Sequence, residues 1–246
     1  MVTPSPRSGV HRAAWVLLLA ATLIARTHAD TPRTRVLFIG NSLTYSNDGL
    51  WTHFEQLTAG NPALSVQTGR SVFPGAFLKS LWERREPREA IHASHWDVVI
   101  LQEDLPETRV ADFQEYARRF VTDVRQAGGR PVLLMAWAYP RLGWISQAEI
   151  ARAHRAVADA LSVEIAPAGI AWERAAAQRP SLGLYAADRE HPSLAGTYLT
   201  TAVIYATVFN ANPETLAYVP RGLAAADAAF LRSIAWESLR LWRAGP

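Results

Sequence analysis

The sequence predicts an α/β protein built on a parallel sheet with helices on both faces. Three observations carry this. Short apolar segments alternate along the chain with amphipathic helical ones. The apolar segments are hydrophobic at nearly every position, not at every second one, which marks strands buried on both faces. After residue 29 no linker, repeat or low-complexity stretch interrupts the alternation. Five strand–helix units with right-handed crossovers make an open, doubly wound three-layer α/β/α sandwich.

The elements follow in order. "TRVLFIG" (34–40) is a short apolar run that stops at glycine, hence a buried strand. In "DGLWTHFEQLTAG" (48–60), Leu50, Trp51, Phe54 and Leu57 have helical spacing and Gly60 ends the run. "ALSVQTG" (63–69) reads as a second strand and "GAFLKSLWERR" (75–85) as a short helix. "WDVVILQ" (96–102) is the clearest buried strand. In the following helix Phe113, Tyr116, Ala117, Phe120 and Val124 form one stripe, closed by Gly128-Gly129. "RPVLLMAWA" (130–138) is a fourth strand. "SQAEIARAHRAVADAL" opens with Ser146 and Glu149 three residues apart, a capping box. "SVEIAPAG" is a fifth strand and "AGIAWERAAAQ" its helix. Two long helical segments close the chain, and Trp236 and Trp242 on the last one read as packing residues.

The bulk composition narrows the function. With 246 residues, the chain suits one α/β domain or at most two small ones. At 49% hydrophobic and 19% charged it is a globular chain, not a disordered one. The net charge is only +3; Lys79 is the sole lysine and the arginines are scattered, so no nucleic-acid-binding patch is expected. The absence of cysteine excludes thiol nucleophiles, disulfides and thiolate metal sites.

The N-terminus reads as a signal peptide over residues 1–29. Arg7, His11 and Arg12 precede the apolar run "AAWVLLLAATLIA", and Thr27 and Ala29 sit at −3 and −1 of a small-x-small cleavage site. The run is short for a membrane span, so the expectation is an exported domain over 30–246, periplasmic or extracellular. An uncleaved membrane anchor is the rival reading.

In doubly wound sheets, sites lie beyond the carboxyl ends of the strands. That selects the segments after Gly40 and Gly69, Gln102-Glu103, and Trp137 to Tyr139. After Gly40 comes Asn41-Ser42. Ser42 either caps the next segment or is presented as a nucleophile, with nearby backbone N–H groups available to an oxyanion. A serine nucleophile needs a base. His53 and His154 lie inside amphipathic helices, as surface or groove residues. His92 and His95 precede a strand and so sit at the wrong sheet edge. Their i, i+3 spacing lacks a third ligand, so no metal is expected. His191 stands in "LYAADREHPSLAG", where Asp188, three residues earlier, can orient and charge-stabilise it. Glu103 and Asp104 as a glycosidase pair are disfavoured, because adjacent carboxylates need not face each other across a cleft.

Gly40-Asn41-Ser42-Leu43 after the first strand and Asp188-x-x-His191 before a late helix resemble the SGNH/GDSL hydrolases, over most of the chain after the signal segment. The resemblance implies a flavodoxin-like five-stranded parallel sheet. It implies ester hydrolysis through Ser42, His191 and Asp188, with no cofactor. It also implies an oxyanion hole made by the Ser42 N–H, a glycine N–H and a side-chain amide. The glycine matches Gly75, in a "GAxLxxxW" stretch like that of a bacterial subgroup, with Gly69 competing. The third block, normally G-x-N-D, reads Leu101-Gln102-Glu103-Asp104, as in a subgroup with "LQE". Gln102 carries the amide donor that a missing Asn would supply. Asn41, Glu103, Trp137 and Tyr139 are expected to line the substrate. The expected partner is a small-molecule or polysaccharide ester, such as a carbohydrate acetyl ester. A non-catalytic binding domain and an O-acyltransferase are the alternatives.

Overall fold

A computed structural model describes residues 1–3 and 33–245; the N-terminal segment read as a signal peptide lies outside the described residues except for its first three. The elements run β1 (Arg33–Gly40), α1 (Ser42–Tyr45), α2 (Leu50–Ala59), β2 (Ser65–Val72), α3 (Leu78–Glu83), α4 (Glu86–His92), β3 (Val98–Glu103), α5 (Val110–Gln126), β4 (Arg130–Met135), α6 (Gln147–Leu161), β5 (Glu164–Ala166), α7 (Ala168–Gln178), α8 (Leu194–Phe209) and α9 (Ala225–Ala244). The five strands are all parallel, in the order β2-β1-β3-β4-β5. This is the flavodoxin-like three-layer sandwich. Among the described residues no helix is long and apolar enough to cross a membrane.

The strand side chains alternate between two cores. Val36, Phe38, Val98, Ile100, Val132 and Leu134 pack on one face with α2, α7, α8 and α9. Leu37, Ile39, Val99, Leu101, Leu133 and Met135 pack on the other with α3 to α6. Burial of both sets explains why these strands read as continuous apolar runs.

Several boundaries and environments differ from the sequence reading. β2 is shifted, running to Val72 instead of ending at Gly69. It is one of the two edge strands and only partly buried, so its pattern marks its ends weakly. Gly69 therefore sits mid-strand opposite Leu37, where a Cβ would stand 2.3 Å from the Trp96 ring. The α4 turn was not anticipated. His53 and His154 are buried, not surface, residues. His154 packs on the Phe113 ring and donates from Nδ1 to the Ile150 carbonyl; burial pushes its pKa down to about 4, so it is a neutral core histidine. The capping box of α6 forms as the sequence implies: Ser146 accepts from the Glu149 N–H while the Glu149 carboxylate accepts from the Ser146 N–H at 2.8 Å.

Phe54 of α2 joins the sheet to α8. Its ring meets Phe38 of β1 edge-on at 5.9 Å and stacks on Phe209 of α8 at 5.8 Å. Phe54→Ala is expected to lower unfolding free energy by about 3–5 kcal/mol, and Phe54→Leu by less than half of that, as read from urea midpoints.

Candidate active site

The turn after β1 is over-determined by hydrogen bonds. Asn41 is extended and caps α1: its Oδ1 accepts from the Leu43 N–H at 3.0 Å, and its carbonyl accepts from Thr44 and Tyr45. Gln102, at the end of β3, presents Oε1 to the Asn41 N–H at 2.9 Å and to the Thr44 hydroxyl at 3.1 Å. Gly40 permits this approach, since a Cβ there would stand 2.4 Å from Thr44 Oγ1 and 2.6 Å from Gln102 Oε1. The Asn41 amide donates to the Ala76 carbonyl at 3.1 Å and to Asp104 Oδ2 at 3.0 Å. The turn is thereby tied to the loops after β2 and β3. Ser42, the first residue of α1, is carried outward by it.

His191 reaches Ser42 from the loop before α8. An isolated bridge pairs Tyr185 with Pro192, and the Ala186 N–H donates to the His191 carbonyl at 2.8 Å. Arg189 takes a left-handed φ of 62° to close the turn. Asp188 Oδ1 accepts the N–H groups of Glu190 and His191, both at 3.0 Å. Its Oδ2 lies 2.8 Å from His191 Nδ1, and His191 Nε2 lies 2.8 Å from Ser42 Oγ. The Glu190 N–H first, and then the His191 contacts, hold the Asp188 carboxyl below the ordinary carboxylate range. With Nδ1–H directed at an ionised Asp188, Nε2 is the acceptor that faces the Ser42 hydroxyl. The imidazole is about one-third exposed, so the pair opens to solvent.

Residues that the sequence reading did not place at the site set this loop in place. Asn47 donates from Nδ2 to the Pro192 carbonyl and to Thr197 Oγ1, each at 2.8 Å. His53 fixes Asn47 in turn, donating from Nε2 to its carbonyl at 2.7 Å while Nδ1 accepts from the Tyr218 hydroxyl. Arg141 bridges Glu107 and Glu190, at 2.7 Å to each. Nothing in the local sequence marks them: each is a polar residue in a turn or helix whose partner lies far along the chain.

The four residues expected to line the substrate are all buried. Asn41 is consumed by the turn. Trp137 stacks on Trp172 with centroids 3.7 Å apart and donates from Nε1 to the Glu190 carbonyl at 3.0 Å, so it supports the histidine loop from beneath. Tyr139 donates its hydroxyl to Asp104 Oδ1. Glu103 accepts from the Asp104 N–H at 2.8 Å and the Leu78 N–H at 3.3 Å. Strand-end position alone could not separate a residue facing outward over the sheet edge from one turned down into a face. Gln102 is likewise enclosed: its carbonyl oxygen braces the turn, and its Nε2 is buried with no partner among the described residues. The amide expected in the oxyanion hole thus lies behind the turn in this structure. Gly75, by contrast, is exposed in the loop after β2 with φ 59°. The N–H groups of Ser42 and Gly75 donate to no acceptor among the described residues. His92 and His95 bond separately to Asp123 and Asp97, away from this edge.

No protein-family model and no curated protein sequence matches the chain. Solved structures do resemble it. A DUF4886 family protein from Bacteroides uniformis superposes with a TM-score of 0.73 at 16% identity, over 85% of this chain and 95% of its own. A candidate SGNH hydrolase from Slackia heliotrinireducens gives 0.59 at 26% identity, over 72% and 100%. An acetylxylan esterase from Geobacillus stearothermophilus gives 0.57 at 18% identity, over 71% and 94%. The fold is that of the SGNH/GDSL hydrolases.

Within this SGNH/GDSL fold, the chain buries two neighbouring carboxyls under its candidate nucleophile. Burial pushes Glu103 up to about 8 and Asp104 up to about 6, the latter opposed by the hydrogen bonds from Tyr139 and Asn41. Tyr139 is raised as well, by burial and then by the Asp104 charge. Glu103 ordinarily ionises near 4.5 and in the fold near 8. Between those values the folded state holds the extra proton, so stability falls as pH rises through this window and the full penalty is present above it. Glu103→Gln keeps the shape without the ionisation. Between pH 5 and pH 9 the wild type is expected to lose more unfolding free energy than the variant, by an amount on the order of a few kcal/mol in urea titrations.

Proposed function

We propose that this chain is a serine esterase acting on a carboxylic ester. The relay from Asp188 through His191 to Ser42, with 2.8 Å at each side-chain link, is the observation that carries the reading. His191 Nε2 takes the Ser42 proton as Oγ attacks the ester carbonyl, and Asp188 stabilises the imidazolium that forms. The N–H groups of Ser42 and Gly75 are the donors this reading assigns to the developing oxyanion. Collapse expels the alcohol, which takes its proton from His191, and leaves an acyl-serine. Water, deprotonated by His191, then releases the acid and restores Ser42. The reaction as written uses no metal or organic cofactor.

Esterase names among the structural neighbours, the acetylxylan esterase included, support the class of substrate. The N-terminal segment read as a signal supports a site of action outside the cytoplasm. The enclosed Gln102 amide favours one second reading, a binding domain that kept the fold without turnover, because it leaves the oxyanion with fewer donors.

The test is hydrolysis of p-nitrophenyl acetate by the purified full-length chain. Ser42→Ala and His191→Ala are each expected to lower kcat/KM at least about 1000-fold, and Asp188→Asn about 100- to 10000-fold, with the folded far-UV spectrum retained. A fluorophosphonate should label Ser42 in the wild type only. No turnover and no labelling would leave the binding domain. Product analysis with an added sugar acceptor separates hydrolase from acyltransferase.

A further inference from the structure

From residue 33 onward, the most exposed large apolar side chain is Trp144, at 67%. It lies in the loop between β4 and α6, at the same sheet edge as Ser42. Its ring is pinned: Nε1 donates to the Pro106 carbonyl at 2.9 Å, anchoring it to the loop after β3. The same two loops are joined by Arg141, which bonds Glu107 beside Pro106 and Glu190 beside His191. Direct contacts thus lead from the Trp144 ring to the residue next to the candidate base.

The character of this spot selects its ligand. Trp144 exposes most of its indole, and the charged planar groups Arg141, Glu107 and Glu190 link its loop and the Pro106 loop to His191. A lipid surface or a protein partner needs a broader apolar area. A pyranose ring needs one flat aromatic face for its C–H side and hydrogen-bonding groups around its hydroxyl rim. The geometry points to Trp144 as a sugar-binding platform, so that the ester presented to Ser42 is carried on an oligosaccharide. This deepens the esterase reading and rests on it for the reaction, although the platform itself can be tested by binding.

The full-length chain is assayed with acetylated xylo-, manno- and chito-oligosaccharides beside p-nitrophenyl acetate. At least one oligosaccharide ester should be hydrolysed. For that substrate Trp144→Ala is expected to raise KM about tenfold with little change in kcat, as loss of uniform binding predicts. The ratio of its kcat/KM to that for p-nitrophenyl acetate should fall by the same factor, and Trp144→Phe should recover most of the loss. In a second arm, Ser42→Ala is titrated calorimetrically with the deacetylated oligosaccharides, with and without Trp144→Ala. If every oligosaccharide ester is indifferent to Trp144, or none is hydrolysed while p-nitrophenyl acetate is, the platform is overturned and the esterase stands. If no ester is turned over but oligosaccharide binding is lost with Trp144→Ala, the platform stands and the esterase reading falls. Absence of both turnover and binding overturns both.

Discussion

The candidate site depends on one buried side chain, Asn41. Its carbonyl oxygen caps α1, and its amide is shared between the Ala76 carbonyl and the Asp104 carboxyl. Three strand-end loops are therefore joined at a single residue, and Ser42 is the next one along. A buried amide with all its groups engaged has no low-energy alternative orientation, because leaving any of them unpaired costs about 1–3 kcal/mol. That converts a short polar turn, which would be mobile on its own, into a fixed mount for a hydroxyl.

The acids beneath the turn are the cost of this arrangement. Asp104 must stay an acceptor for two donors, Asn41 and Tyr139, yet burial works against its ionisation. Glu103 is driven further toward the protonated form, which spares the fold a second buried negative charge beside the first. The polarity at this sheet edge thus serves support below and the candidate site above. The half-exposed Asp188, held by two backbone N–H groups, keeps its charge at the surface, where water shares the load.

The second constraint is the placement of the histidine loop. Trp137 supports it from below, Asn47 ties it to the segment after α1, and Arg141 ties it to the loops after β3 and β4. The exposed Arg141 bridges add little net stability, but they limit which way the loop can lean. Ser42 and His191 are 149 residues apart, and their 2.8 Å separation is set by these ties together with the packing of α8 against α2 through Phe54 and Phe209.

By itself the sequence determined the alternation of elements, the parallel sheet, the capping box of α6 and the local identity of two fragments of the candidate site, Asn41-Ser42 and Asp188-x-x-His191. These are short-range properties: periodicity, turn chemistry and three-residue spacing act within one element, where the chain's own neighbours decide the outcome. Only the tertiary structure decided that Asn41, Glu103, Trp137 and Tyr139 turn inward, that Gln102 braces the turn with its carbonyl, that Gly69 lies mid-strand under Trp96, and that His53 and His154 are buried. Which way a strand-end side chain faces, and whether a polar group is satisfied, depends on partners brought in from distant segments, and no local pattern encodes a bond spanning 35 to 150 residues.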